Sequence, residues 1–131
     1  MSGIESCGRV LVVDDEEDLR QVIGDLLDAE GYDVTTVGSG DEALRLARSN
    51  HYDVVTMDLR MPGLSGRDTL AALRHIDPAT VPIVVSGYAT PDDATAVREL
   101  GAYEVLSKPF DVDQLVAVVG GAMSAHRSTT S

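Results

Sequence analysis

The chain has a single cysteine, Cys7, among its 131 residues. An internal disulfide is thereby excluded, and the composition suits a reducing compartment. Basic residues are scarce as well: 10 Lys+Arg stand against 22 Asp+Glu, a formal net charge of -12. So acidic a chain lacks the basic surface that non-specific binding to nucleic acid or to an anionic membrane requires. No apolar run approaches the roughly 18 residues that a bilayer-spanning helix needs. Met1 to Gly8 is polar, with no basic n-region and no apolar stretch, so no signal peptide is expected and the cytoplasm is the expected compartment. Lysine is the scarcest basic residue: every other one is Arg, and Lys108 stands alone.

What is present is a regular alternation of two patterns. Arg9-Val-Leu-Val-Val13, Val54-Val-Thr-Met57 and Val81-Pro-Ile-Val-Val85 are continuous apolar runs. Strands buried on both faces look like this, and they belong to parallel sheets covered by helices. Asp33 to Val37 is shorter and more polar, which places it at an edge, and Tyr103 to Leu106 forms a fifth strand. Between them lie segments of helical spacing: Leu19, Val22, Ile23, Leu26 and Leu27 up to Gly31; Ala43, Leu44 and Ala47; Leu70, Leu73 and Ile76, stopped by Asp77-Pro78; Ala94, Val97 and Leu100. The last, from Val112 to about His126, is apolar around a wide arc that includes Leu115, Val116, Val118, Val119, Ala122 and Met123. Five strand–helix units with short connections predict one doubly wound parallel α/β sheet. A single domain over 1–131 is expected, with a core at about 8–125 and polar tails at 1–7 and 126–131.

That topology sorts the chemistry. Right-handed crossovers put all the strand C-termini along one edge, where α/β sheets collect ligands. Asp14 and Asp15 follow the first strand, Asp58 ends the third, Ser86 ends the fourth and Lys108 follows the fifth. Each has a plain structural role open to it, as a helix cap, a turn residue or a solvated cation, but their placement at one edge favours a common site. Three carboxylates in one crevice repel one another, and a hard divalent cation such as Mg²⁺ relieves this with oxygen ligands. A carboxylate flanked by a metal, a hydroxyl and an ammonium suits phosphoryl transfer, with Asp58 as nucleophile and an aspartyl phosphate as product. A cis bond between Lys108 and Pro109 is one way to aim the ammonium inward. The opposite edge shows no comparable set. No trio of His and Cys suggests zinc, and His51, His75 and His126, on separate elements, are expected at the surface.

Val12-Val-Asp-Asp-Glu16, Asp58-Leu-Arg-Met-Pro-Gly-Leu-Ser-Gly66, Ser86-Gly-Tyr-Ala89 and Lys108-Pro-Phe110 resemble, in order, the motifs of the receiver domain of two-component response regulators. The resemblance covers roughly residues 8 to 125. It implies the flavodoxin-like strand order 2-1-3-4-5 and Mg²⁺-dependent transfer of a phosphoryl group from a histidine kinase's phosphohistidine to Asp58. It implies that Asp15, Asp58 and the backbone carbonyl of Arg60 bind Mg²⁺ directly, that Asp14 acts mostly through water, and that Ser86 and Lys108 bind the phosphoryl group. The implied output is a switch at the face formed by the fourth helix, fifth strand and fifth helix, acting on a partner or output domain.

The sequence departs from the family at one point. Where members commonly carry a switching Tyr or Phe, three residues before the lysine, this chain has Val105. Strand alternation puts Tyr103 on the same face as Val105, so Tyr103 is one substitute, and Tyr88, two residues past Ser86, is another. Arg60 and Tyr88 occupy positions that modulate the lifetime of the phosphoryl group in the family. Two other readings exist: a dehalogenase-type phosphatase, which normally carries a second Asp where Arg60 stands, and a non-phosphorylated pseudo-receiver acting as an interaction module.

Overall fold

The computed structural model describes residues 8–61, 63, 65–87 and 90–130, the last four by their backbone only. Five strands and five helices alternate: β1 Arg9–Val13, α1 Glu17–Ala29, β2 Asp33–Val37, α2 Gly40–Ala47, β3 Val54–Met57, α3 Gly66–Ile76, β4 Val81–Ser86, α4 Pro91–Glu99, β5 Glu104–Ser107 and α5 Val112–Thr130. The strands form one sheet in the order β2-β1-β3-β4-β5, and every pairing is parallel. This is the doubly wound, flavodoxin-like α/β fold expected from the sequence.

The apolar strands are buried because helices cover both faces of the sheet. Successive residues of a strand point to opposite faces, so β1 divides its side chains between two cores. Leu11 and Val13 join Val55, Met57, Leu70, Leu73, Val84 and Val97 on the side of α2, α3 and α4. Val10 and Val12 join Ile23, Leu27, Ile83, Leu115, Val119 and Met123 on the side of α1 and α5. The more polar β2 lies at one edge of the sheet.

Helix entries follow their cap residues. Ser39 and Ser65 accept the backbone amides of Glu42 and Asp68. Thr90 and Asp93 form a full capping box at α4, with proline just inside the start. Helix α1 has no side-chain cap bond, and Glu17 and Asp18 in its first turn complement the helix dipole. Gly31 follows that helix at φ +96°, the left-handed value that glycine adopts without steric cost.

Two details differ from the sequence-based expectation. Helix α5 runs through Thr130, so residues 126–130 continue a helix rather than form a polar tail, and His126 is buried. Tyr103 and Val105 do not share surroundings. Val105 packs against the core beneath α3 and α4. Tyr103 lies just ahead of β5 and is exposed; a Cβ added to Gly121 of α5 would sit 2.7 Å from its hydroxyl. Strand alternation does not hold one residue before the strand begins.

Candidate functional site

The C-terminal ends of β1 and β3 are adjacent, since Val13 pairs with Met57. The residue after each strand therefore falls at the same place on the sheet edge: Asp14 after β1 and Asp58 after β3. Both are buried, at 2% and 5% exposure. The backbone continues the ladder, with the Asp58 amide donating to the Val13 carbonyl at 3.2 Å and the Lys108 amide to the Ser86 carbonyl at 3.1 Å. The Lys108–Pro109 peptide is cis.

Lys108 turns its ammonium into the crevice. Nζ donates to Asp58 Oδ2 at 2.8 Å, to Asp14 Oδ2 at 3.0 Å and, more weakly, to the exposed Glu16 at 3.4 Å. The second oxygens of the buried pair are held by backbone amides. Asp58 Oδ1 accepts from Arg60 N at 3.0 Å, and Asp14 Oδ1 from Glu16 N at 2.9 Å. Each aspartate is thus fixed at both oxygens, and its rotamer is set before any ligand arrives.

The electrostatic balance is unequal. Burial pushes the Asp14 carboxyl above its ordinary 3.8, even though the Glu16 amide and the Lys108 ammonium pull the other way. For Lys108, burial favours the neutral amine, yet Asp58 and Asp14 together hold it well above its ordinary 10.5. One ammonium shared among carboxylates keeps its own proton firmly but leaves surplus negative charge in the pocket. That surplus is what a hard cation would neutralise. Oxygen atoms of Asp14, Glu16 and Asp58 lie within 4.8 Å of one another, a donor set that suits Mg²⁺ rather than a softer metal.

The site opens into a cleft of ≈ 750 Å³. Asp15, Asp58, Arg60, Gly87 and Lys108 line its polar end, while Leu19, Val22, Leu26, Phe110 and Val112 form an apolar wall between α1 and the start of α5. Val22 and Val112 are half exposed on that wall.

Of the residues singled out by sequence, Asp14, Asp58 and Lys108 are drawn into direct contact. Asp15 is exposed and lines the cleft, but Glu16, not Asp15, completes the close carboxylate group. In the sequence Glu16 stands only as the last residue of the Val12-Val-Asp-Asp-Glu16 motif and is given no ligand role. Ser86 is fully buried at the end of β4. Tyr88 lies outside the described residues. Val105 is half-buried in the core, and Tyr103 reaches towards α5 and lines a second, smaller cleft with Arg74, Pro82 and Ala125.

His51 and His75 are exposed, as expected from the sequence, but His126 is not. His51 and His126 meet at the opposite edge of the sheet, with Nε2 atoms 3.1 Å apart and Asp53 Oδ1 3.3 Å from each. His126 is buried, not on the surface, and the edge that looked bare carries a compact polar group. His51 and Asp53 are two residues apart in sequence, whereas His126 is brought in only by the packing of α5.

The family model described as the response regulator receiver domain matches residues 10–120. Among curated relatives, the transcriptional regulatory protein PrrA of Mycobacterium tuberculosis is 38% identical over 94% of this chain and 53% of its own length. The DNA-binding transcriptional regulator NtrC of Salmonella typhimurium is 35% identical over 92% of this chain and 26% of its own. This chain therefore spans about half or a quarter of the relatives it matches. Among solved structures, a response regulator receiver domain protein from Clostridium thermocellum superposes with a TM-score of 0.87 at 34% identity, covering 93% of this chain and 98% of the other. With the fold, the edge-clustered aspartates and these matches in agreement, the chain belongs to the response regulator receiver domain family.

Proposed function

We propose that this chain, as a single receiver domain, accepts a phosphoryl group on Asp58 from the phosphohistidine of a sensor histidine kinase or phosphotransfer protein, or from a small phosphodonor. In this reading Asp14, Asp15, Asp58 and the Arg60 carbonyl hold Mg²⁺, which neutralises charge on the phosphoryl oxygens when bound. Lys108 and Ser86 hold the transferred group, and the protein works in the cytoplasm. Catalysis is confined to the domain's own phosphorylation and dephosphorylation.

The observation that carries this is the Lys108 ammonium held between the buried Asp14 and Asp58 carboxylates at the mouth of the cleft. Asp58 is the member at the strand end facing that opening, and the amide of Arg60 fixes its other oxygen. A phosphoryl group on Asp58 would take over the ammonium that now bridges the two carboxylates. The α4–β5–α5 face would carry the change to a partner or output domain, with Val105, Tyr103 and Tyr88 as the residues to examine for the switch. The apolar wall with Val22 and Val112 offers the donor protein a contact beside the acceptor.

Incubation with acetyl phosphate and Mg²⁺, followed by intact mass measurement, tests the reading. The expected result is a gain of one phosphoryl group that requires Mg²⁺ and is absent in Asp58→Asn. Metal binding without any gain, from acetyl phosphate or from kinases, would instead identify a pseudo-receiver.

A further inference from the structure

The N-terminal edge of the sheet, remote from Asp58, carries a second cluster. His51 and Asp53 lie in the segment leading into β3, Asp77 ends α3, and His126 lies on α5. We propose that His51 Nε2, His126 Nε2 and Asp53 Oδ1 form a transition-metal site of the zinc class, with a fourth position open to water.

The argument is geometric. In a tetrahedral zinc site with bonds of about 2.0–2.1 Å, neighbouring ligand atoms lie about 3.3–3.4 Å apart. Here the three separations are 3.1, 3.3 and 3.3 Å, nearly the edges of one tetrahedral face. The imidazoles, with centroids 5.2 Å apart, meet through their Nε2 tips instead of stacking. Two Nε2 atoms directed at one point, with a carboxylate oxygen completing the triangle, form a borderline nitrogen–oxygen donor set that suits zinc and not Mg²⁺.

The supporting shell is also present. His51 Nδ1 is hydrogen-bonded to the Asp77 carboxylate, which selects the tautomer whose Nε2 carries a lone pair; carboxylate–histidine pairs do this at zinc centres. Asp53 Oδ2 accepts the Arg9 amide at 2.7 Å, leaving Oδ1 directed at the imidazoles. His126 is buried and Asp53 half-buried, while His51 is exposed and gives a route of entry. The alternative is a hydrogen bond in which one Nε2 carries the proton.

Titration of the tag-free, metal-stripped chain with Zn²⁺ at neutral pH, followed by calorimetry and by thermal unfolding, decides between them. One Zn²⁺ per chain and a raised Tm are expected, with no competition from Mg²⁺. His51→Ala, at an exposed position, and Asp53→Asn should each weaken binding by roughly tenfold or more. Asp58→Asn should bind Zn²⁺ as the unaltered chain does, which separates this site from the carboxylate crevice. Co²⁺ in place of Zn²⁺ should show the visible absorption of a tetrahedral centre. Failure of the unaltered chain to bind, binding undiminished in His51→Ala, or binding lost in Asp58→Asn would overturn the proposal.

Discussion

Asp14 shows how a buried carboxylate can be held in place and still cost stability. Its folded pKa lies above the ordinary 3.8 because burial outweighs the Glu16 amide and Lys108. The folded state therefore binds this proton more tightly than the unfolded chain, and Asp14 subtracts stability as pH rises from about 4 through the folded value. Asp14→Asn should stabilise the metal-free protein at pH 7 by an amount on the order of 1 kcal/mol, and the advantage should vanish below about pH 4. Urea unfolding at both pH values checks this; an advantage of equal size at both would contradict it. Gly66 has the opposite character. A Cβ there would lie 2.4 Å from the Asp58 carbonyl oxygen and 2.5 Å from Leu59 Cα, both backbone atoms. Helix α3 thus presses directly on the peptide following the acceptor. Gly66→Ala should cost about 1–3 kcal/mol by overpacking and slow phosphorylation of Asp58, measured by chemical denaturation and by acetyl phosphate uptake.

Among the helices, α4 is the least anchored: Val97 is its one fully buried residue. It is also the helix with the full capping box, so local bonds stand in for packing there. Thr90→Ala should cost about 1 kcal/mol, and hydrogen exchange should report the loss first over 91–99, leaving the strands protected. Asp93 is held below the ordinary carboxylate value by the Thr90 amide and hydroxyl; its share of the cap is present above about pH 4 and fades as pH falls through the folded value. The elements themselves were largely legible in the sequence. Unbroken valine-rich runs mark doubly covered strands, and polar β2 was recognisable as an edge. The position of Tyr103 was not, because it depends on the chain's path just before β5 and on the gap that Gly121 leaves in α5. The end of α5 was missed for a related reason. His126-Arg-Ser-Thr-Thr looks polar, yet the helix continues through it, and His126 packs against His51 and Asp53.

At the scale of the whole molecule, the two edges of the sheet differed in legibility. The C-terminal edge was readable because parallel topology sends every strand end there, so Asp14, Asp58 and Lys108 converge without knowledge of side-chain packing. The N-terminal edge depends on where α5 finishes, which no local pattern encodes. Both edges sit within a strongly acidic chain, at -12, whose folded form concentrates like charge. General screening and specific cation binding should therefore stabilise it separately. Raising NaCl from about 0.01 M to about 1 M shortens the screening length from about 30 Å to about 3 Å, and the urea midpoint should rise across that range. Millimolar Mg²⁺ added at the high-salt end should raise it further, since the Asp14–Asp58 pocket is shielded from bulk ions by burial. Asp58→Asn should keep the NaCl response and lose most of the Mg²⁺ increment. If the variant keeps the full increment, Mg²⁺ is acting on the surface as a whole, and the crevice is not where it binds.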